Sequence, residues 1–182
     1  MALLPMCIAA LLSASPEGPT FTLAVSIQNV AGVTETELEK AKLQTAAIFA
    51  SIGVTIEWDT APDKGFHLVI VRSAAAARLG ATEDALGLTP STSAGPGNRA
   101  YVFEDRVGER LRELHMVFSH LLGCAMAHEL GHMLLPKNPH SEMGIMRAFW
   151  DAAHLAVGTS DYLRFTPWQE RMIHQKLLAG RR

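Results

Sequence analysis

Cysteine is scarce in this chain, with two residues in 182. So few thiols exclude a disulfide-dense scaffold and a cysteine-rich zinc finger. A charge excess is also absent, because 16 basic residues face 18 acidic ones, for a formal net charge of −2. Without a strong positive field we expect no binding to nucleic acid or to anionic membranes. Hydrophobic residues make up 48% of the chain, which excludes a disordered protein and is enough for the core of one domain.

The first twelve residues are apolar and uncharged, and small residues follow them. This pattern is typical of a secretory signal peptide, although no basic residue precedes the apolar run. We predict a signal peptide over residues 1–14, so that the mature chain begins near Ser15 and is secreted or periplasmic. The alternatives are a misplaced start codon and a buried strand or helix. One further stretch, 114–135, has the length of a membrane span, but its four histidines and one glutamate are costly in lipid, and we expect no span there.

Strand and helix patterns alternate along the rest of the chain. A helix with a capping signal is predicted from Thr34 to Gly53, and a long one from about residue 108 to 135. Thr166 is a good N-cap for a last helix that reaches Ala179. The predicted strands are 21–30, 54–58, 66–71 and 99–104, with an alanine-rich connector over 74–85 and a flexible loop over 89–98.

The long predicted helix ends in the motif HELGH, residues 128–132. Side chains four residues apart on a helix share one face, about 6 Å apart along the axis, so His128 and His132 can bind one zinc ion. Glu129 lies beside such a metal and can take a proton from water. Gly131 is a poor helix former, which makes sense if another segment passes close by. The alternative is a surface helix with two solvated histidines, but the preceding turns are apolar.

The motif resembles the metzincin metalloprotease signature, HExxHxxGxxH followed by a methionine turn. Leu135 stands at the glycine position of that signature, and Asn138 at the position of its third histidine. Two residues further on, His140 begins HSEMGIM, which looks like the third ligand and methionine turn of the matrixin-like branch. The resemblance therefore implies three zinc ligands, His128, His132 and His140.

Other residues compete for the third ligand position. Asp161 stands in GTSD, which resembles the Gly-Thr-x-Asp motif of the aspzincins. Glu142, Glu170 and His154 are further candidates. We predict His140 and keep an aspzincin-like site with Asp161 as the alternative. Asp161 would otherwise cap a loop or orient a ligand histidine.

The resemblance implies an α+β, metzincin-like zincin domain with a small mixed sheet, an edge strand, a long active-site helix, a methionine turn and a C-terminal helix. This catalytic domain would span 15–182, with an upper subdomain over about 20–135 and a lower one over about 136–182. Met146 would form the floor beneath the metal. The strand 99–103 would be the edge strand that pairs with a peptide or protein substrate in extended conformation.

We therefore expect a monomeric zinc metalloendopeptidase with Glu129 as general base. A non-catalytic zinc-binding module on a protease fold is the alternative, but such a module has no need of Glu129. A zinc hydrolase of non-peptide amides is a third reading, because the same water and base would serve. The loop after Met146 would build the substrate pocket, with Arg147, Phe149 and Trp150 lining or blocking it.

Overall fold

The computed structural model describes residues 21–61, 65–92, 95–114, 116–151 and 163–180. The predicted signal peptide over 1–14 lies outside these residues, as do two of the competing zinc ligands, His154 and Asp161. Among the described residues no helix is long and apolar enough to cross a bilayer.

A five-stranded sheet with helices packed on it makes the domain α+β. The strands are β1 (Phe21–Asn29), β2 (Val54–Trp58), β3 (Phe66–Val71), β4 (Gly87–Leu88), β5 (Ser91–Thr92), β6 (Gly95–Pro96) and β7 (Arg99–Phe103). The sheet order is β2-β1-β3-β7-β4, in which β4 alone runs antiparallel to its neighbour, while β5 and β6 form a separate pair. Phe21, Leu23 and Val25 of β1 are buried and Thr22 is exposed, so side chains alternate between the core and the outer face.

The helices account for most of the remaining described chain. They are α1 (Glu35–Ala50), a 3₁₀ turn (Ser73–Ala75), α2 (Ala76–Leu79), α3 (Glu104–Leu114), α4 (Phe118–Leu134) and α5 (Pro167–Ala179). The predicted caps are present, because Thr34 accepts from the Glu37 amide and Thr166 from the Gln169 amide, both at 3.3 Å. The hydrophobic core lies between the sheet and the helices α1 and α4.

The prediction of one long helix over 108–135 is wrong. Two helices, α3 and α4, cover this stretch, and Val117 between them has extended backbone angles. The two helices have different environments: α3 is charged and buries only Val107 and Leu114, whereas α4 is buried on most of its surface. The break lets the chain leave the surface and enter the core, which a straight helix would not allow.

The prediction that 99–103 is the edge strand is also wrong. β7 has β3 on one side and β4 on the other, so Gly87–Leu88 forms the edge of the sheet. A two-residue strand is too short to show the alternating pattern that identifies longer strands.

Close packing between α1 and α4 holds the motif-bearing helix in place. The Thr45 hydroxyl of α1 is buried and lies 3.0 Å from the Gly123 carbonyl oxygen of α4. A Cβ on Gly123 would lie 2.6 Å from Cβ of Gln44 and 2.7 Å from the Ala41 carbonyl oxygen. Only glycine lets the two helices approach this closely.

Candidate metal centre

Three histidine side chains converge at the C-terminal end of α4. Nε2 of His132 lies 3.0 Å from Nε2 of His128 and 3.1 Å from Nε2 of His140. A tetrahedral zinc ion with bonds of about 2.0–2.1 Å would hold its nitrogen ligands about 3.3 Å apart. The three histidines therefore lie close enough together to bind one metal ion. His140, which no helical spacing places near the other two, is brought to them by the fold.

Hydrogen bonding and burial keep these rings in the form that binds metals. Nδ1 of His128 lies 2.8 Å from the Ile145 carbonyl oxygen, which can only accept, so Nδ1 carries the proton and Nε2 presents its lone pair. Burial lowers the pKa of His128 to about 4. Burial, followed by the charges on His128 and His140, lowers the pKa of His132 to about 3. Partial desolvation of the otherwise exposed His140 also lowers its pKa.

A tight turn passes directly beneath α4 at Gly131. Met146 is fully buried, and a Cβ on Gly131 would collide with its Sδ and lie 3.0 Å from Cε1 of Phe165. The interpretation that Gly131 admits a neighbouring segment is confirmed. The turn itself depends on Gly144, whose φ of +80° is in the left-handed region. The Ile145 amide ties the turn to the Arg164 carbonyl oxygen at 2.9 Å.

Gly131→Ala should destabilise the protein by about 1–3 kcal/mol, because the added methyl group overpacks the contact with Met146. Gly108→Ala is the matched control, since it is also a helical glycine and a Cβ there would meet nothing within 4 Å. The control should be neutral or more stable by up to about 1 kcal/mol, because alanine favours helix. Urea unfolding of both variants checks the difference, and equal stabilities would contradict the close approach.

Glu129 is a buried carboxyl group between the two motif histidines, and its residue is only 4% exposed. The Thr89 hydroxyl donates to its Oε2 at 2.8 Å, and β4 crosses above it at Gly87, where a Cβ would lie 2.6 Å from Oε1. Burial raises the pKa of Glu129 to about 8, and the Thr89 hydrogen bond opposes this shift. A zinc ion held by the neighbouring histidines would lower this pKa, because a nearby positive charge favours the carboxylate, the form that accepts a proton.

Neither Thr89 nor Gly87 was identified from the sequence. Thr89 stood at the start of the predicted flexible loop, and Gly87 in a stretch without a clear pattern. Each residue contacts Glu129, which lies about forty residues further along the chain. The periodicity of hydrophobic residues within one segment does not indicate a contact of this kind.

A cavity of about 410 Å³ opens beside the histidines and Glu129. One wall is the segment after Met146, with Arg147, Phe149 and Trp150. Their predicted position beside a cavity is confirmed, and the binding of substrate there stays a prediction. Arg110 of α3 also lines the cavity and lies over the Phe149 ring, with 4.6 Å from its guanidinium carbon to the ring centroid. The cavity is large enough for a side chain of a ligand that reaches the histidines.

The remaining candidates for the third ligand do not join the cluster. Glu142 and Glu170 are described, but within the described ranges only His128, His132 and His140 form a group able to hold a metal ion. Asp161 and His154 lie outside those ranges. No protein-family model matches the chain, and a search of curated proteins finds no match.

Proposed function

We propose that the protein is a zinc-dependent metallopeptidase of the metzincin-like type, with His128, His132 and His140 as zinc ligands and Glu129 as general base. One observation carries this proposal: three imidazole nitrogens converge beside a buried carboxyl group at the wall of an open cavity. Three protein ligands leave a fourth position for water or substrate, which is the arrangement of a catalytic zinc site.

Each residue has a separate task in peptide hydrolysis. When bound, zinc would activate a water molecule and polarise the peptide carbonyl group. Glu129 accepts the proton of that water and then donates it to the leaving amine. Thr89 donates to Oε2, so Oε1 is the oxygen that remains for the proton. The Ile145 carbonyl oxygen holds the His128 ring in the tautomer that presents Nε2.

The edge of the sheet supports a peptide as the substrate. β4 pairs with β7 on one side and is the last strand of its sheet in the described chain. Its Gly87 lies against Glu129, so the free edge runs past the proposed catalytic carboxyl group. An extended peptide can add to such an edge through backbone hydrogen bonds and place a side chain in the adjacent cavity.

The alternative is a non-catalytic zinc module. A structural zinc site is normally closed by four protein ligands, whereas the described cluster has three and faces a cavity. Cleavage of an unfolded protein such as casein separates the two functions. The peptidase should cleave it, lose the activity to a chelator and regain it with added zinc. A zinc-loaded protein that cuts nothing would support the non-catalytic module.

Zinc affinity should fall by less than about 4-fold from pH 7.5 to pH 6, the loss that His140 alone would give with an ordinary pKa near 6.5. Protons compete with zinc for histidines, but burial keeps the pKa of His128 at about 4 and that of His132 at about 3, so both stay neutral until the pH falls well below 6. Three histidines with ordinary pKa values near 6.5 would lose about 50-fold in affinity over this interval. Competition with a chromophoric chelator, corrected for its own protonation, measures the change. A loss of that size would show that the rings titrate as if exposed.

A further inference from the structure

Gln169 is a buried polar residue in the first turn of α5, and it is only 1% exposed. Its Oε1 accepts from the Thr166 amide at 2.8 Å, which completes the capping box of the helix. Its Nε2 donates to the Pro139 carbonyl oxygen at 3.1 Å and to Oγ of Ser141 at 3.0 Å. The two donors of the side-chain amide thus bind the residues immediately before and after His140.

The segment that carries His140 has no regular structure of its own. Between the end of α4 and residue 151 the chain forms only turns and bends, and Asn138 has a φ of +57°. His140 is exposed, so packing around its ring contributes little to its position. Pro139 beside it is buried, and loss of Gln169 would leave the Pro139 carbonyl oxygen without this donor.

We propose that Gln169 is a positioning residue for the third zinc ligand. By binding the Pro139 carbonyl oxygen on one side of His140 and the Ser141 hydroxyl on the other, Gln169 keeps Nε2 of His140 3.1 Å from Nε2 of His132. Helix α5 thus supports the metal centre through Gln169, which lies 29 residues after His140 in the chain. The inference rests on the proposed zinc site but not on peptidase activity, because it concerns how the metal is held. Outer hydrogen bonds of this kind typically change metal affinity by about 10–100-fold.

The two ends of the amide can be tested separately. Gln169→Glu keeps an acceptor for the Thr166 amide, so the helix cap is retained, but it removes both donors to the His140 segment. We expect it to raise the zinc dissociation constant by about 10–100-fold, measured by chelator competition at a temperature where every variant is folded. With Co²⁺ in place of zinc, the visible absorption of a four-coordinate site should weaken in parallel.

His174→Phe is the matched control on the same helix. Nε2 of His174 lies 2.6 Å from the Ile52 carbonyl oxygen and the ring stacks on Phe21, away from the His140 segment. Phenylalanine preserves a ring against Phe21 and removes the hydrogen bond. The control should lower the melting temperature and leave the zinc dissociation constant unchanged. If Gln169→Glu also lowers the melting temperature without changing the zinc dissociation constant, Gln169 is only a structural residue of the helix.

A double-mutant cycle with His140→Ala decides whether Gln169 acts through His140. In the His140→Ala background, Gln169→Glu should weaken the residual zinc binding no further. Additive losses would overturn the inference, because Gln169 would then affect the metal by another route. A wild-type protein that binds zinc without cleaving peptides would refute the proposed peptidase. The effect of Gln169→Glu on zinc binding would still test the role of Gln169. A wild-type protein that binds no zinc would overturn both.

Discussion

Glu129→Gln should keep one zinc ion per chain and lose about 10²–10⁴-fold in kcat for peptide hydrolysis. The amide has the size of the carboxyl group and can still accept the Thr89 hydrogen bond, so the buried site keeps its packing. It cannot take a proton from water, which removes the general base. Metal content by elemental analysis and kcat on one peptide substrate, measured on the same sample, check the two halves of this prediction.

Glu142→Gln is the control for Glu129→Gln, because Glu142 is an exposed carboxyl group two residues after His140. It should change neither zinc content nor kcat. If Glu129→Gln turned over peptide at the wild-type rate, proton transfer by Glu129 would not be part of the reaction. Loss of zinc from Glu129→Gln would instead make Glu129 part of the metal site.

His140→Ala should empty most of the zinc site. It removes one of the three converging nitrogens, so the loss in affinity should exceed the roughly 100-fold typical of an outer hydrogen bond. His120→Ala is a suitable control, because His120 is a partly exposed histidine of the same helix α4 and stands outside the cluster. Elemental analysis and chelator competition should find wild-type zinc binding in the control.

The aspzincin-like alternative makes the opposite prediction for the same measurement. If Asp161→Ala empties the site and His140→Ala does not, Asp161 is the third ligand and the metzincin-like assignment is wrong. If both variants bound zinc as tightly as the wild-type protein, neither His140 nor Asp161 would be the third ligand.

The parts of this protein that sequence alone predicts are those with a local signal. The i, i+4 spacing of His128 and His132 follows from helix geometry, and the glycine between them indicates a close neighbour. The strands over 54–58 and 66–71 have the predicted bounds because their branched and aromatic residues stand between clear turns. His140 had no such local signal, and only the likeness to a known motif pointed to it.

The parts that sequence missed depend on contacts between distant residues. Thr89 meets Glu129 across 40 residues, and Gln169 meets Pro139 across 30. Gln169 is read from the sequence only as a residue of the last helix. The break between α3 and α4 depends on how each helix is buried, which apolar periodicity within one segment does not report. Polar side chains that support a site from another element are therefore visible only in the fold.

A zinc titration of the metal-free wild-type protein tests the central claim most directly, with bound metal and peptide cleavage followed in the same samples. The proposed site predicts that both rise together and level off at one zinc ion per chain, since the described residues offer one group of three histidines. Zinc binding that saturates at one equivalent while no peptide is cut, or cleavage that proceeds equally without metal, would contradict a zinc-dependent peptidase.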